Sequence, residues 1–273
     1  MTVVSVLRKI KNMVIPAKVV KVTVVTSSPT ECLKDRVIIV TGGATGIGRA
    51  IAKKAVTEKA RVIIVGRREQ ILKDACKEIG TDYCKYMVCD LSSVTDYKGF
   101  YENAEKIFSG KIAALVNNAG IYIDKHPTDF TETDFDSTIS INLKAPMFLT
   151  MEFVKYCVKN NIEGNVIVTA SNRGMFGDYG PYGVSKRGVI SYVEGMAREL
   201  IGTGIRINAV APGMTASEIN GADITGNMYT ASARGERILH PCEIAEIVCF
   251  LLSDYSKCIT GAVIPCDEGD RLR

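Results

Sequence analysis

Tyr182 and Lys186, which stand four positions apart in the sequence, are the first candidates for acid–base chemistry. If this stretch begins a helix, the two side chains lie on one face, one turn apart. A free tyrosine has a pKa of about 10, and a nearby positive charge favours the phenolate and lowers that value. The pair is therefore a candidate proton donor and acceptor near neutral pH. The alternative is a structural pair, a half-buried ring beside a solvated amine.

A glycine-rich loop, Thr41 to Gly48, stands between the first predicted strand and the first predicted helix. Glycines there allow a tight turn and let the backbone approach a phosphate, which the free N–H groups of the helix N-terminus attract. In this strand–loop–helix context the motif predicts a dinucleotide site. The predicted contacts are Gly42, Thr45, Gly46, Ile47 and Gly48.

The end of the second predicted strand bears on which nicotinamide cofactor binds. An NAD site usually has a carboxylate there to bind the ribose 2′-hydroxyl, whereas this chain has Gly66 followed by Arg67. An arginine pairs with a 2′-phosphate in bidentate fashion. We therefore predict NADP(H) rather than NAD(H). The alternative is that Arg67 and Arg68 only begin a solvated helix.

Two further strand ends complete the predicted cofactor cleft. Asp90, followed by Leu91, ends the third strand, where we expect it to meet the adenine. Asn118, Ala119 and Gly120 follow the fourth strand. Small residues there admit a flat ring system, and amides tie neighbouring strands together.

A parallel sheet is needed to bring these residues together. From residue 33 onward, short apolar runs alternate with helix-length amphipathic stretches, which is typical of an α/β fold with helices on both faces of a parallel sheet. We predict one Rossmann-like, doubly wound domain over 33–273 with about seven strands. The predicted strands are 36–40, 61–65, 85–89, 113–117, 166–169, 205–210 and 262–264. The predicted helices are 47–59, 69–79, 94–108, 135–159, 181–201 and 241–252.

Two segments do not follow the strand–helix alternation. Residues 213–240 are polar and have no clear period, so we interpret them as a substrate lid. Residues 1–32 are predicted to be a basic extension, since the first 30 carry five basic residues and no acid. Apolar residues at helical spacing make the extension a candidate membrane-surface helix or targeting segment. An extra strand, a poorly ordered tail and an oligomer contact are the alternatives.

Composition limits the classes of function. Hydrophobic residues make up 47% of the 273 residues, enough for a sizeable core, and the net charge of +4 comes largely from the extension. The nearly neutral remainder does not point to nucleic acid. Nine cysteines without C-x-x-C spacing and two histidines indicate neither a metal site nor a disulfide framework, but a reducing, cytoplasmic location. No apolar run approaches the length of a transmembrane helix.

Taken in order, the motifs resemble the short-chain dehydrogenase/reductase family, over residues 35 to about 270. The matching pieces are the T-G-x-x-x-G-x-G loop, Asp90, the N-N-A-G run at 117–120, Asn142, Ser171, the Tyr182-x-x-x-Lys186 pair and the P-G-M-T run at 212–215. The resemblance implies a seven-stranded Rossmann fold and a homo-oligomer, either a dimer or a tetramer. It also implies cofactor contacts at Pro212, Gly213 and Thr215.

The resemblance implies a role for each catalytic candidate. Tyr182 would exchange a proton with the substrate oxygen, and Lys186 would hold the nicotinamide ribose and lower the tyrosine pKa. Ser171 would donate a hydrogen bond to the carbonyl oxygen as charge develops. Asn142 would support a water that links Lys186 to solvent.

The spacing before the tyrosine departs from the family pattern. Ser171 lies 11 residues before Tyr182, whereas many members have 13, the position of Thr169 here. We assign the role to Ser171 because it directly follows the fifth strand. We expect Thr169 to be the last residue of that strand.

The predicted reaction is reversible hydride transfer between the nicotinamide and a ketone or secondary alcohol, more often as reduction. The small-molecule substrate stays open; Lys125, His126 and Arg173 are expected to border its pocket, where basic groups favour an acidic or phosphorylated compound. One alternative is a non-catalytic NADP(H)-sensing or scaffold protein on the same fold. Another is a lipid-ketone reductase held on a membrane surface by the extension.

Overall fold

One seven-stranded parallel sheet organises the chain. The structure is a computed structural model that describes residues 18–21, 29–93, 97, 99–217 and 226–272. Its strands are β1 (Val37–Thr41), β2 (Arg61–Gly66), β3 (Cys84–Val88), β4 (Ile112–Asn117), β5 (Asn165–Thr169), β6 (Arg206–Pro212) and β7 (Val263–Cys266). They pair in the order β3-β2-β1-β4-β5-β6-β7, all parallel. The order reverses between β1 and β4, which opens a crevice at their carboxyl ends.

Helices cover both faces of the sheet. They are α1 (Gly46–Thr57), α2 (Glu69–Ile79), α3 (Phe100–Phe108), α4 (Glu132–Ile139), α5 (Ala145–Asn160), α6 (Pro181–Glu199) and α7 (Pro241–Leu252). Apolar residues of α1, α2 and α7 form a core on one face, and those of α3, α5 and α6 form a core on the other. The predicted doubly wound fold is confirmed.

The alternation of side chains along each strand explains the two cores. In β1, Val37 and Ile39 belong to the core with α3, α5 and α6, whereas Ile38 and Val40 belong to the core with α1, α2 and α7. All five residues of β1 are buried. A strand covered on both faces must be apolar almost throughout, and this is why β1 is a continuous apolar run in the sequence.

The prediction of one continuous helix at 135–159 is wrong, because the structure has two helices there. The first begins earlier, at Glu132, because Thr131 and Asp134 form a capping box. A π-helical turn, Ser140–Lys144, then separates α4 from α5, and the Ala145 N–H bonds to the Ser140 oxygen. The cause lies in Pro146, which has no N–H to donate to the carbonyl of residue 142. The helix predicted at 94–108 begins at Phe100, and 94–96 and 98 lie outside the described residues.

A short piece of the N-terminal extension contacts the predicted lid. The Val20 N–H donates to the Asn227 side-chain oxygen at 2.9 Å, and the Met228 N–H donates to the Val20 oxygen at 3.1 Å. Lys18 forms an ion pair with Glu236. The rest of the extension before residue 29, including the predicted amphipathic helix, lies outside the described residues, as do 218–225 of the lid. None of the described helices has the length and apolar character to cross a membrane.

Candidate active site

Helix α6 carries both residues of the acid–base pair. It begins at Pro181, a residue suited to the first helical position, so that Tyr182 and Lys186 lie one turn apart as predicted. The Lys186 Nζ atom lies 5.7 Å from the centroid of the Tyr182 ring. Lys186 is buried and donates a hydrogen bond of 2.7 Å to the main-chain oxygen of Thr169.

Ser171, rather than Thr169, stands beside the tyrosine. The Ser171 hydroxyl is within hydrogen-bonding reach of the Tyr182 phenol and accepts the Arg173 N–H at 3.2 Å. Thr169 is the last residue of β5, and its hydroxyl donates to the Asn118 side-chain oxygen at 3.3 Å. The assignment by strand end therefore selects the hydroxyl that lies next to the tyrosine.

Asn142 lies in the π-helical turn and is buried. Its amide exchanges two hydrogen bonds with the main chain of Ile121, accepting at 2.8 Å and donating at 2.9 Å. A Cβ atom added to Gly120 would lie 3.4 Å from the Asn142 oxygen and 3.7 Å from the Lys186 Nζ. Asn142 and Lys186 thus border the same small residue. The predicted water between Lys186 and solvent stays a prediction.

The environment shifts both titrating groups. Burial raises the pKa of Tyr182, although the Ser171 hydrogen bond and the Arg173 charge act in the opposite direction. The expectation of a lowered tyrosine pKa is therefore wrong for the protein chain by itself, because desolvation outweighs the nearby charges. Burial also lowers the pKa of Lys186 to about 8, so most of the amine is still protonated at neutral pH.

A groove of about 180 Å³ runs along the carboxyl ends of β1, β2, β3 and β4. Six predicted cofactor residues line it: Gly42, Thr45, Arg67, Leu91, Ala119 and Gly120. The sequence analysis missed several further lining residues, namely Ala44, Val65, Arg68, Ile71, Leu72, Cys89, Ile121 and Ile141. Their only sequence signal is proximity to a strand end or to Asn142.

Other predicted residues support the groove without lining it. A Cβ on Gly48 would lie 2.2 Å from the Gly42 oxygen, so only glycine lets α1 approach the loop this closely. Gly46 has a φ of +50° and faces Ser217. The side-chain amide of Asn118 donates to the main-chain oxygen of Thr41 at 3.2 Å, which confirms that it ties β4 to β1. Ile47 packs against the core.

Two features of the groove suit a dinucleotide. The Thr45 side chain does not cap α1 and the first turn has no acidic residue, which leaves main-chain N–H groups and a partial positive charge for a phosphate. Arg67 is exposed at the rim of the groove. The Ser92 hydrogen bonds lower the pKa of Asp90, and the charge of Arg67 acts on that carboxylate in the same direction. A guanidinium in that position suits a ribose phosphate.

Four further predicted contacts, Asp90, Pro212, Gly213 and Thr215, also lie off the groove. Asp90 is exposed, and its carboxylate accepts the Ser92 N–H at 2.9 Å and the Ser92 hydroxyl at 2.8 Å. Pro212 ends β6, and the Thr215 hydroxyl donates to the Gly213 oxygen at 3.0 Å. The cofactor contacts of these residues stay predictions.

On the other side of the tyrosine, a cavity of about 10 Å³ is lined by Tyr182, Tyr122, Lys125, Arg173 and Asp178, among others. Lys125 pairs with Asp134 and Arg173 pairs with Asp178, each at 2.6 Å. Because carboxylates balance these cations, the interpretation that they favour an acidic substrate loses its support. Tyr122 and Asp178 were missed by the sequence analysis, since nothing in their local pattern marks them.

The described residues hold no group of His, Cys, Asp and Glu side chains arranged as a metal site.

Comparison with known proteins agrees with this arrangement. A family model described as Enoyl-(Acyl carrier protein) reductase matches residues 42–270. The NADP-dependent (R)-specific alcohol dehydrogenase of Lentilactobacillus kefiri is 34% identical over 249 residues, covering 88% of this chain and 98% of its own. The 3-oxoacyl-[acyl-carrier-protein] reductase of Thermotoga maritima is 35% identical over 246 residues, with 87% and 98% covered.

A solved structure shows the same fold. The crystal structure of a short chain dehydrogenase from Bacillus anthracis superposes with a TM-score of 0.79 at 28% identity, covering 88% of this chain and 98% of that one. The motifs, the sheet order and these relatives lead to one assignment. The chain belongs to the short-chain dehydrogenase/reductase family and is an oxidoreductase of the ketone and alcohol class.

Proposed function

We propose that this protein is an NADP(H)-dependent oxidoreductase that interconverts a ketone and a secondary alcohol, with Tyr182 as the general acid and base. The observation that carries the proposal is the convergence of three groups. The Ser171 hydroxyl is within reach of the Tyr182 phenol, and the Lys186 amine lies 5.7 Å from the Tyr182 ring. Gly120 lines the groove and also borders Lys186, since a Cβ added to Gly120 would lie 3.7 Å from the Lys186 Nζ.

The side chains divide the proton chemistry between them. Bound in the groove, the nicotinamide supplies or accepts the hydride. In the reductive direction the Tyr182 phenol donates its proton to the substrate oxygen, and in the oxidative direction the phenolate takes it back. The Ser171 hydroxyl donates a hydrogen bond to the same oxygen as negative charge develops on it. The charge of Lys186 stabilises the phenolate.

The preference for NADP(H) is supported by charge at the rim of the groove. Arg67 provides a guanidinium for a 2′-phosphate, and Gly66 places no carboxylate where one would repel it. One relative is named as an NADP-dependent alcohol dehydrogenase, which agrees with this preference.

The decisive experiment measures NADPH oxidation with a panel of ketones. We expect Tyr182→Phe to lower kcat by roughly 10²–10⁴-fold, the usual contribution of a positioned acid, while NADPH binding is retained. Tyr255→Phe is the matched control, since Tyr255 is 69% exposed and outside both cavities. Equal rates in Tyr182→Phe and the wild type would exclude Tyr182 as the acid. Binding of NADPH without turnover of any ketone would favour the sensor or scaffold alternative.

We also infer a cytoplasmic homo-oligomer, either a dimer or a tetramer. Phe135 on α4 and Phe148 and Met151 on α5 are large apolar side chains with 47%, 37% and 39% of their surface exposed. Light scattering during gel filtration measures the assembly, and a monomer at micromolar concentration would refute it. Fractionation of cells between cytosol and membranes tests the location, and recovery with the membranes would favour the membrane-surface alternative.

A further inference from the structure

The loop between Ser171 and Tyr182 is short, and Arg173 near its start forms an ion pair with Asp178 near its end. The Arg173 Nε donates to the Asp178 carboxylate at 2.6 Å, and the other oxygen of that carboxylate accepts the Gly180 N–H at 2.9 Å. The Asp178 side chain is 4% exposed, so loss of Arg173 would leave a buried carboxylate without its ion-pair partner. The ion pair therefore joins the start of the loop to its end, immediately before α6.

The loop lies directly on helix α6. A Cβ on Gly183 would be 2.2 Å from the Asp178 Cβ, and a Cβ on Gly174 would be 2.7 Å from the main chain of Lys186. Glycine at both positions allows this close approach. Because Asp178 is pressed against the first turn of α6, the ion pair transmits the position of Arg173 to Tyr182.

Arg173 also acts from a second side of the tyrosine. Its Nη1 donates to the Tyr122 hydroxyl at 3.1 Å, and its guanidinium lies 5.6 Å from the centre of the Tyr122 ring. The Tyr122 ring meets the Tyr182 ring edge-on, with 5.1 Å between centroids. Edge-to-face pairs of this kind fix ring orientation.

The main chain of Arg173 contacts the other catalytic hydroxyl. Its N–H donates to the Ser171 hydroxyl at 3.2 Å, so one residue touches Ser171, the loop and the partner ring of Tyr182. We propose that Arg173 is a positioning residue, whose side chain fixes Tyr182 relative to Ser171 in a loop shorter than the family usually has. This inference rests on the proposed function.

The charges around the ring give the inference a test beyond folding. The charged and titratable groups there are Lys186 on α6, Arg173, Asp178 and Tyr179 in the loop, and Tyr122, Asp124 and Lys125 after β4. Burial has the largest effect and raises the tyrosine pKa; the Arg173 charge acts against burial and lowers it, whereas the Asp178 charge acts with burial and raises it. Neutralising the two residues one at a time must therefore move the Tyr182 titration in opposite directions.

The experiment follows alcohol oxidation with NADP as a function of pH, because oxidation needs the Tyr182 phenolate. We expect Arg173→Gln to move the rising limb of kcat to higher pH and to lower kcat at neutral pH by on the order of tenfold. Asp178→Asn, nearly identical in shape, should move it to lower pH. Arg173→Lys keeps the positive charge but loses the planar guanidinium that bonds to Asp178 and Tyr122 together. The rising limb of its kcat against pH should therefore stay near the wild-type position, while kcat itself falls.

A control variant and an NMR titration distinguish failure of the positioning role from failure of the proposed function. Arg36→Gln is the control, because it removes an ion pair, with Asp254, at the amino edge of the sheet and away from Tyr182. It should leave the pH dependence of kcat unchanged. Isotope-labelled tyrosine NMR, with Tyr182→Phe to assign the signal, measures the same titration without turnover. Opposite shifts by NMR with no turnover in the wild type would sustain the positioning role and refute the proposed function. Unchanged titrations, or shifts in the same direction for Arg173→Gln and Asp178→Asn, would overturn the inference.

Discussion

The Lys186 ammonium and the main-chain oxygen of Thr169, joined by a hydrogen bond of 2.7 Å, connect helix α6 to the end of strand β5. The Thr169 side chain meanwhile bonds to Asn118 after β4. Thr169 therefore holds the framework of the site with both its oxygens. The hydroxyl of Ser171, two residues later, stands next to the tyrosine.

Replacing Lys186 by methionine should abolish activity without weakening the fold at neutral pH. Burial lowers the pKa of the folded-state lysine to about 8 from an ordinary value of 10.5, so the protonated amine destabilises the native state. We expect Lys186→Met to raise the free energy of unfolding by roughly 1–3 kcal/mol at neutral pH, after allowing for the unpaired Thr169 oxygen.

This gain should shrink as pH rises from about 8 towards 10.5. In that window the unfolded chain binds more protons than the folded one, so the wild type gains stability with pH while the methionine variant lacks this contribution. Urea unfolding of both proteins across this range measures the difference. Lys77→Met, at an exposed lysine with 72% of its side chain accessible, is the control. A difference that is constant or grows with pH would contradict the expectation.

Ser171→Ala and Thr169→Val should separate the two candidate hydroxyls. We expect Ser171→Ala to lower kcat by on the order of 10²–10³-fold, the cost of losing a donor to developing negative charge. Thr169→Val keeps the main-chain oxygen that Lys186 needs and loses only the bond to Asn118. We expect Thr169→Val to lower the free energy of unfolding by about 1 kcal/mol and to lower kcat only a few-fold. Steady-state kinetics and thermal unfolding of both variants decide, and the reverse order of activities would reassign the role to Thr169.

Gly66→Asp should shift the cofactor preference from NADPH towards NADH. The three atoms nearest to a Cβ at Gly66 would all belong to the Leu72 side chain, the closest at an ordinary contact distance of 3.6 Å, so a Cβ fits there. An added carboxylate beside Arg67 repels a 2′-phosphate and accepts a hydrogen bond from a 2′-hydroxyl. We expect the Kd for NADPH to rise at least about tenfold, as for like charges brought together at a binding site, and the Kd for NADH to fall.

Gly66→Ala is the control for this change, because it adds the Cβ without the charge. Cofactor fluorescence gives the dissociation constants of NADPH and NADH for the wild type and for both variants. If the alanine and aspartate variants weaken NADPH binding equally, steric effects explain the loss and the electrostatic account of the preference is wrong.

The sequence by itself determined the architecture and most of the site. Continuous apolar strands require helices on both faces, and the glycines of the Thr41–Gly48 loop require a turn that a phosphate can approach. Tyr182 and Lys186 share a face because both belong to one helical turn. These are local properties, so spacing and residue type suffice to predict them.

Only the tertiary structure decided how distant segments act on these residues. The π-helical turn at Asn142, the contact of Tyr122 with Tyr182 and the pairing of Arg173 with Asp178 each depend on which side chains packing brings together. The sequence predicts a lowered pKa for Tyr182, whereas the folded chain raises it, and this difference too depends on packing. Proximity to a lysine is visible in the sequence, but the desolvation that raises the tyrosine pKa arises only when the surrounding chain has folded around the ring.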